Sequence, residues 1–249
     1  MEKALDKFLK NWYNNKDVVG ILLTGSHAIE MNHKSSDVDI RIFLAGDSKT
    51  TKGLIEIDGF KFSYLVRSHN IIESRFRKEF SMNNRFEATT ISMGRIIFEK
   101  DGIVSELQKL ANYYQKSDFI IRKIDDETLK SNIYLLYNYK SYLETLDEDS
   151  TYFIYTYMSF MKISLTFYSH FLNFEIVSDL KLEKLFTNDL FRDKCNWSKF
   201  PDEEFALLWQ NCISIGKTNK YHLSKMFDFL QKKIIKFNTK NDAFSWKEQ

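Results

Sequence analysis

The chain is poor in residues that break or cross-link a polypeptide. Its 249 residues include one proline, Pro201, and two cysteines, Cys195 and Cys212. Two cysteines without metal-ligand spacing make neither a disulfide framework nor a zinc site. Near-absence of proline, beside 22 Phe and 13 Tyr, excludes a linker-like disordered chain and favours helical packing. A net charge of +2 leaves no whole-chain field to attract nucleic acid or an anionic membrane. The first residues, Met1-Glu2-Lys3-Ala4-Leu5-Asp6-Lys7, are charged where a secretory leader would be apolar, so a soluble cytoplasmic protein is expected. No Rossmann fingerprint, Walker A loop, Ser-His-Asp set or zinc signature is present.

One stretch tests the absence of a membrane span. Tyr152 to Val177 is nearly all apolar or aromatic and long enough to cross a bilayer. Lys162, His170 and Asn173 interrupt it, and Phe153, Tyr157, Met161, Leu165, Tyr168 and Leu172 recur at helical spacing. The pattern reads as the central helix of a bundle.

Two textures divide the chain. Up to Lys116, short apolar runs alternate with turn signals: a helix over 2–16, strands over Val18–Thr24 and Asp37–Leu44, and a short helix over Ser26–Met31. Leu54–Ile57 and Phe60–Val66 flank Asp58-Gly59, a strong two-residue hairpin signal. A helix over Ile71–Phe80, a strand over Arg95–Glu99 and a helix from Ile103 to about Tyr114 follow. Beyond Lys116 only Gly216 remains of the eight glycines, and helical patterns dominate: Asp126–Leu146, Ser150–Val177 with Ser150 as its cap, Leu180–Leu190, Asp202–Ile213 and Asn219–Phe237. The expected fold is α/β (α+β): a small mixed-sheet domain over residues 1–116, then a helical bundle over 117–249.

The chemistry concentrates between residues 22 and 40. Leu22-Leu23-Thr24 runs into Gly25-Ser26, and ten residues later comes Asp37-Val38-Asp39-Ile40. On a strand, residues one apart share a face, so two carboxylates would repel unless a cation lies between them. Mg²⁺ takes oxygen ligands, commonly one or two carboxylates plus substrate phosphates. Gly25 lets backbone approach an anion, and Ser26 adds a hydroxyl at a helix start.

This arrangement resembles the nucleotidyltransferase superfamily, whose pattern is an apolar strand, Gly-Ser, a spacer of this length and Asp-x-Asp. The polymerase-β-like enzymes and the antibiotic adenylyltransferases are the members it looks most like. The clear match covers about the first 45 residues. The resemblance implies that Asp37 and Asp39 are catalytic and hold Mg²⁺ or Mn²⁺, and that Gly25 and Ser26 bind the phosphates of an NTP, of which ATP is the first choice. It further implies that a nucleoside monophosphate passes to a hydroxyl of a small molecule. No extended basic surface is legible, which argues against nucleic acid as the acceptor; a homodimer is compatible with the sequence.

The match has a gap. Family members usually supply a third acid from a later strand, and here that strand, Gly59–Val66, offers only Ser63 or Lys61. Arg41 also shares the strand face of the Asp pair. The acid could come from Glu56, Asp58 or Glu87, the nearest in sequence, or from the helical domain; the site could work with two acids; or Arg41 and Lys61 could neutralise the pair in a degenerate site. Arg41 could equally hold a triphosphate oxygen. The rival functions are accordingly a catalytically silent nucleotide-binding or regulatory protein, or a toxin–antitoxin component, on the same fold. Among other residues, His27 could touch phosphate or acceptor. His33 and Lys34 read as solvated loop, and Ser36 shapes the start of the strand. Arg75, Arg77, Lys78 and Arg85, and Lys232, Lys233 and Lys236, read first as solvated helix faces. Tyr134, Tyr137, Tyr139 and Tyr142 offer an aromatic wall for a ring-bearing acceptor if the bundle closes over the site.

Overall fold

A computed structural model of the chain describes residues 1–47, 50–121, 123–175 and 177–234. Five strands form one mixed sheet in the order β3-β4-β2-β1-β5. They are β1 (Val18–Thr24), β2 (Val38–Leu44), β3 (Thr51–Ile57), β4 (Phe60–Ser68) and β5 (Arg95–Glu99). β1 pairs antiparallel with both β2 and β5; β2 and β4 run parallel, and β3 and β4 form the hairpin. At the hairpin tip Asp58 and Gly59 both have positive φ, +50° and +78°, as a type I′ turn requires.

Alternation sorts the strand residues onto two faces. On one, α1 (Glu2–Tyr13) presses Ala4, Leu5, Phe8 and Leu9 onto Ile21, Leu23, Val38, Ile40 and Phe62. Phe8 stacks on Phe62 with ring centroids 5.0 Å apart. On the other face, α3 (Ile72–Phe80), α4 (Phe86–Ser92) and α5 (Ile103–Lys116) pack Ile72, Phe76, Ala88, Ile91 and Val104 against Val19, Leu22 and Phe43. β1 is therefore buried along its whole length. Asp39 and Arg41 belong to the α3–α5 side, because their ladder partners Thr24 and Leu22 do.

The chain forms two compact units. The first comprises Met1–Phe119 and Val177–Ser198; the second comprises Ile120–Ile176 and Lys199–Gln249, as far as these are described. Sequence texture puts a single boundary near residue 116. In the structure α8 (Leu182–Thr187) and α9 (Asp189–Cys195) belong with the sheet: Gln115 Nε2 donates to the Cys195 carbonyl at 2.9 Å, and Lys194 Nζ donates to the Ile29 carbonyl. The second unit holds α6 (Asp126–Thr145), α7 (Thr151–Phe171), α10 (Glu203–Cys212) and α11 (Lys220–Ile234). In its aromatic core Tyr157 Oη donates to the Cys212 carbonyl at 3.0 Å and Trp209 Nε1 to the Met161 carbonyl at 2.8 Å. Among the described residues no helix is long and apolar enough to cross a membrane.

Several element limits differ from the sequence expectation, each for a local reason. α7 stops at Phe171 rather than Val177, because Asn173 adopts φ +52° and the Phe174 N–H turns back to the Ser169 carbonyl at 2.8 Å. The expected helix over Leu180–Leu190 is two, split at Asn188, whose side chain accepts from Phe191 N and caps α9. The end of the expected helix Asn219–Phe237 lies beyond the described residues, as does Lys236. α4 is an addition to the expected elements.

Close packing of α5 on β1 is testable at Gly20, where a Cβ would stand 2.1 Å from Val104 Cγ2. Gly20→Ala should cost about 1–3 kcal/mol in urea unfolding. The pair Gly20→Ala/Val104→Ala should be less destabilised than the sum of its two single changes; strict additivity would mean that α5 does not press on β1 here.

Candidate functional site

β1 and β2 set the geometry. Thr24 is the ladder partner of Asp39 and its Oγ1 donates to the Asp39 carbonyl at 3.3 Å. Directly after Thr24 the chain must leave the sheet, and Gly25 does this at φ +66° before the short helix α2 (Gly25–Ala28). Gly25 is required for a second reason. A Cβ there would lie 2.2 Å from Asp39 Oδ2, so the carboxylate rests against a bare Cα. Any other residue would have to displace the acid.

The spacer loop is held by its own polar groups. His33 N donates to Ser36 Oγ at 3.0 Å, Ser36 N to the His33 carbonyl at 2.9 Å, and His27 Nε2 lies 3.4 Å from the Ser36 carbonyl. These bonds carry the chain back to Asp37, which is exposed in the residue just before β2, while Asp39 inside the strand is half-buried. Burial pushes the Asp39 carboxyl above the ordinary aspartate range, and the charge of Asp37 adds to the shift. Arg41, Lys181 and His27 oppose it. Lys181 comes from the late segment that rejoins the first unit.

The sheet register locates the strand position beside Asp39 where the third acid is expected. Ser63 on β4 is the partner of Asp39, whereas Lys61 pairs with Glu56 on β3 and is exposed. Ser63 thus occupies the expected third-acid position, and Lys61 does not neutralise Asp39. None of the three candidate replacements fills that position. Glu56 points along the exposed hairpin, and Asp58 pairs with Lys7 at 2.7 Å. Glu87 is buried on α4 between two guanidiniums, 2.8 Å from Arg67 NH1 and 3.6 Å from Arg41 NH2. Among the described residues Arg41 therefore has its ion pair with Glu87. Among the described residues no ion pair joins it to Asp37 or Asp39.

Several other sequence candidates have partners of their own or are exposed. Arg77 pairs with Glu73, Arg75 lies 3.8 Å from Glu79, and Arg85 donates to the Gln115 carbonyl and stacks over Phe119. Lys233 pairs with Asp202 and Glu204. His33 and Lys34 are exposed. Tyr134, Tyr137 and Tyr142 are exposed on α6, which buries Ile133, Leu136 and Leu143 instead. The helix α4 is absent from the elements that periodicity predicts, although it carries a start signal: Asn84, whose Oδ1 accepts from Phe86 N at 2.7 Å, stands three residues before Glu87.

Among the described residues no three His, Cys, Asp or Glu side chains converge as a metal cluster. Asp37 lies close enough to Asp39 for its charge to raise the Asp39 carboxyl, whose ionised form burial also disfavours. That pair fits an ion that draws its remaining oxygens from water and substrate phosphate.

A mixed sheet with helices on both faces, with Gly-Ser directly after β1 and paired aspartates where the chain enters β2, defines a nucleotidyltransferase-type fold. Residues 1–130 match the family described as Nucleotidyltransferase domain, more than half of the chain, and the chain belongs to that family. Among solved structures it is similar to a nucleotidyltransferase-like protein from Exiguobacterium sibiricum 255-15, at 11% identity and a TM-score of 0.40, covering 94% of this chain and 75% of that one. Likeness at that level carries no argument about activity. A search of curated proteins finds no significant match.

The raised Asp39 carboxyl has a consequence for stability. Ionising it costs the fold free energy, so its contribution is favourable below the ordinary aspartate range and is lost as pH rises through the raised value. Metal-free Asp39→Asn should melt above the wild type at about pH 7.5, with about 2–4 °C per kcal/mol gained. The difference should shrink below about pH 4, where both states carry the proton. A variant that melts at or below the wild type in EDTA at neutral pH would show that the fold already compensates the charge.

Proposed function

We infer that the chain is a metal-dependent nucleotidyltransferase that moves a nucleoside monophosphate from an NTP, ATP being the first choice, to a hydroxyl of a small molecule. The observation that carries this reading is the Asp39 carboxylate: it is seated on Gly25, beside Asp37, and left without an ion-pair partner among the described residues. Asp37 and Asp39 are the residues that would hold Mg²⁺ or Mn²⁺. When bound, that ion would neutralise charge on the triphosphate and on departing pyrophosphate.

The chain's own residues do the rest. Gly25 keeps the space over the Asp39 carboxylate open, and Ser26 places a hydroxyl one residue along. His27 and Ser36 tie the spacer loop so that Asp37 stays near Asp39. Lys181 and Arg41 supply positive charge around the pair, which suits a polyanionic substrate. Ser63, lacking a proton-accepting carboxylate at the third position, leaves deprotonation of the acceptor to another group.

That serine is also the observation that favours the second reading, a silent nucleotide-binding or regulatory protein on the same fold. The discriminating experiment incubates the protein with each NTP, Mg²⁺ or Mn²⁺ and a panel of hydroxyl-bearing small molecules, and measures pyrophosphate. Transfer should be detected and should fall about 100-fold or more in Asp37→Asn and in Asp39→Asn, with both variants folded by circular dichroism. Nucleotide binding without pyrophosphate release in any combination would establish the silent reading instead.

A further inference from the structure

Arg41 poses an electrostatic problem that the fold has to solve. It stands two residues from Asp39 on the same face of β2, about 7 Å along the strand. Its charge is the strongest of those acting on the Asp39 carboxylate. A flexible guanidinium at that range would fold back onto the aspartate and compete with any cation for it. In the structure it does not, because Arg41 NH2 is drawn to Glu87 Oε2 at 3.6 Å.

Glu87 is in turn unable to leave. It is 2% exposed, and its other oxygen, Oε1, accepts from Arg67 NH1 at 2.8 Å. Arg67 is itself 5% exposed, and among the described residues its ion pair is with Glu87, Glu79 acting on it more weakly, so losing Glu87 would leave a buried guanidinium without that partner. The backbone contributes as well: Glu87 N donates to Glu79 Oε2 at 2.7 Å, fixing the first turn of α4, and Arg75 lies 3.8 Å from the other oxygen of Glu79. Of the two guanidinium contacts, the tight one belongs to the buried Arg67 and the looser one to Arg41 beside the site.

We propose that Glu87 is a positioning residue for the aspartate pair: locked by Arg67, it holds Arg41 away from Asp39 and so keeps the pair open to a divalent cation. This rests on the reading of Asp37 and Asp39 as cation ligands, but not on turnover. The acid carried by α4 acts at one remove from the ion, by occupying the competitor.

The test is Mn²⁺ binding to the full chain, followed by the loss of the free-ion electron paramagnetic resonance signal. Glu87→Gln should weaken Mn²⁺ binding about tenfold or more, as Arg41 turns to Asp39. Adding Arg41→Met to that variant should restore binding to near the wild-type level, a rescue that a merely structural role for Glu87 does not produce. If Glu87→Gln fails to fold, Glu87→Asp keeps a charge for Arg67 while withdrawing from Arg41, and should show the same loss and the same rescue by Arg41→Met. Unchanged affinity in the Glu87 variants, or no rescue, overturns the proposal, and so does a wild type that binds no Mn²⁺. Absence of pyrophosphate release alongside the expected binding pattern would remove the transferase reading and leave this one standing.

Discussion

A carboxylate resting on a bare Cα is the contact around which the first unit is arranged. Asp39 needs the space over Gly25, Gly25 needs positive φ to leave β1, and the ladder pairing of Thr24 with Asp39 brings the two together. The cost of that arrangement is visible in the raised Asp39 carboxyl, which burial disfavours as an ion. An acid held half out of water without an ion-pair partner among the described residues is kept in place by the surrounding sheet and its two helical layers. The same half-burial strengthens whatever electrostatic contact the site makes, since a lower dielectric acts on attraction and repulsion alike.

Charge around the site comes from distant parts of the chain. Arg41 follows Asp39 on its own strand, while Lys181 arrives from the segment that rejoins the sheet after the first helices of the second unit. Lys194 on the Ile29 carbonyl and Gln115 on the Cys195 carbonyl show how that segment is tied down. Behind them the Arg41–Glu87–Arg67 chain keeps opposite charges paired where water cannot solvate them. Site and scaffold therefore share residues, and an account of either without the other would misplace Glu87.

Much of the fold was legible because strands and turns are local. Val18–Thr24 and Arg95–Glu99 have the limits their apolar runs suggest, and Asp58-Gly59 makes the hairpin that the dipeptide implies. Ser150 caps α7 as its position before the apolar stripe suggests. Where expectation and structure part, a single residue's conformation decided: Asn173 in the left-handed region ends α7 early, and Asn188 breaks one helical pattern into two. Periodicity is blind to both, because the apolar spacing continues across them. α4 was obscured by Thr89 and Thr90, which read poorly as helix, although Asn84 and Glu87 mark its start.

Sequence alone determined the Gly-Ser and Asp-x-Asp elements, the family they resemble, and the vacancy at the third acid, since each is a matter of residue identity and spacing along one or two strands. Tertiary structure alone decided that Ser63 rather than Lys61 pairs with Asp39, that residues 177–198 belong to the first unit, and that Glu87 serves Arg41 and Arg67 instead of the aspartate pair. The physical reason is range. Backbone geometry and alternation are set by near neighbours in the chain, whereas the pairing of a charge is set by whichever opposite charge the packed fold brings within a few ångströms, however far away it lies in sequence.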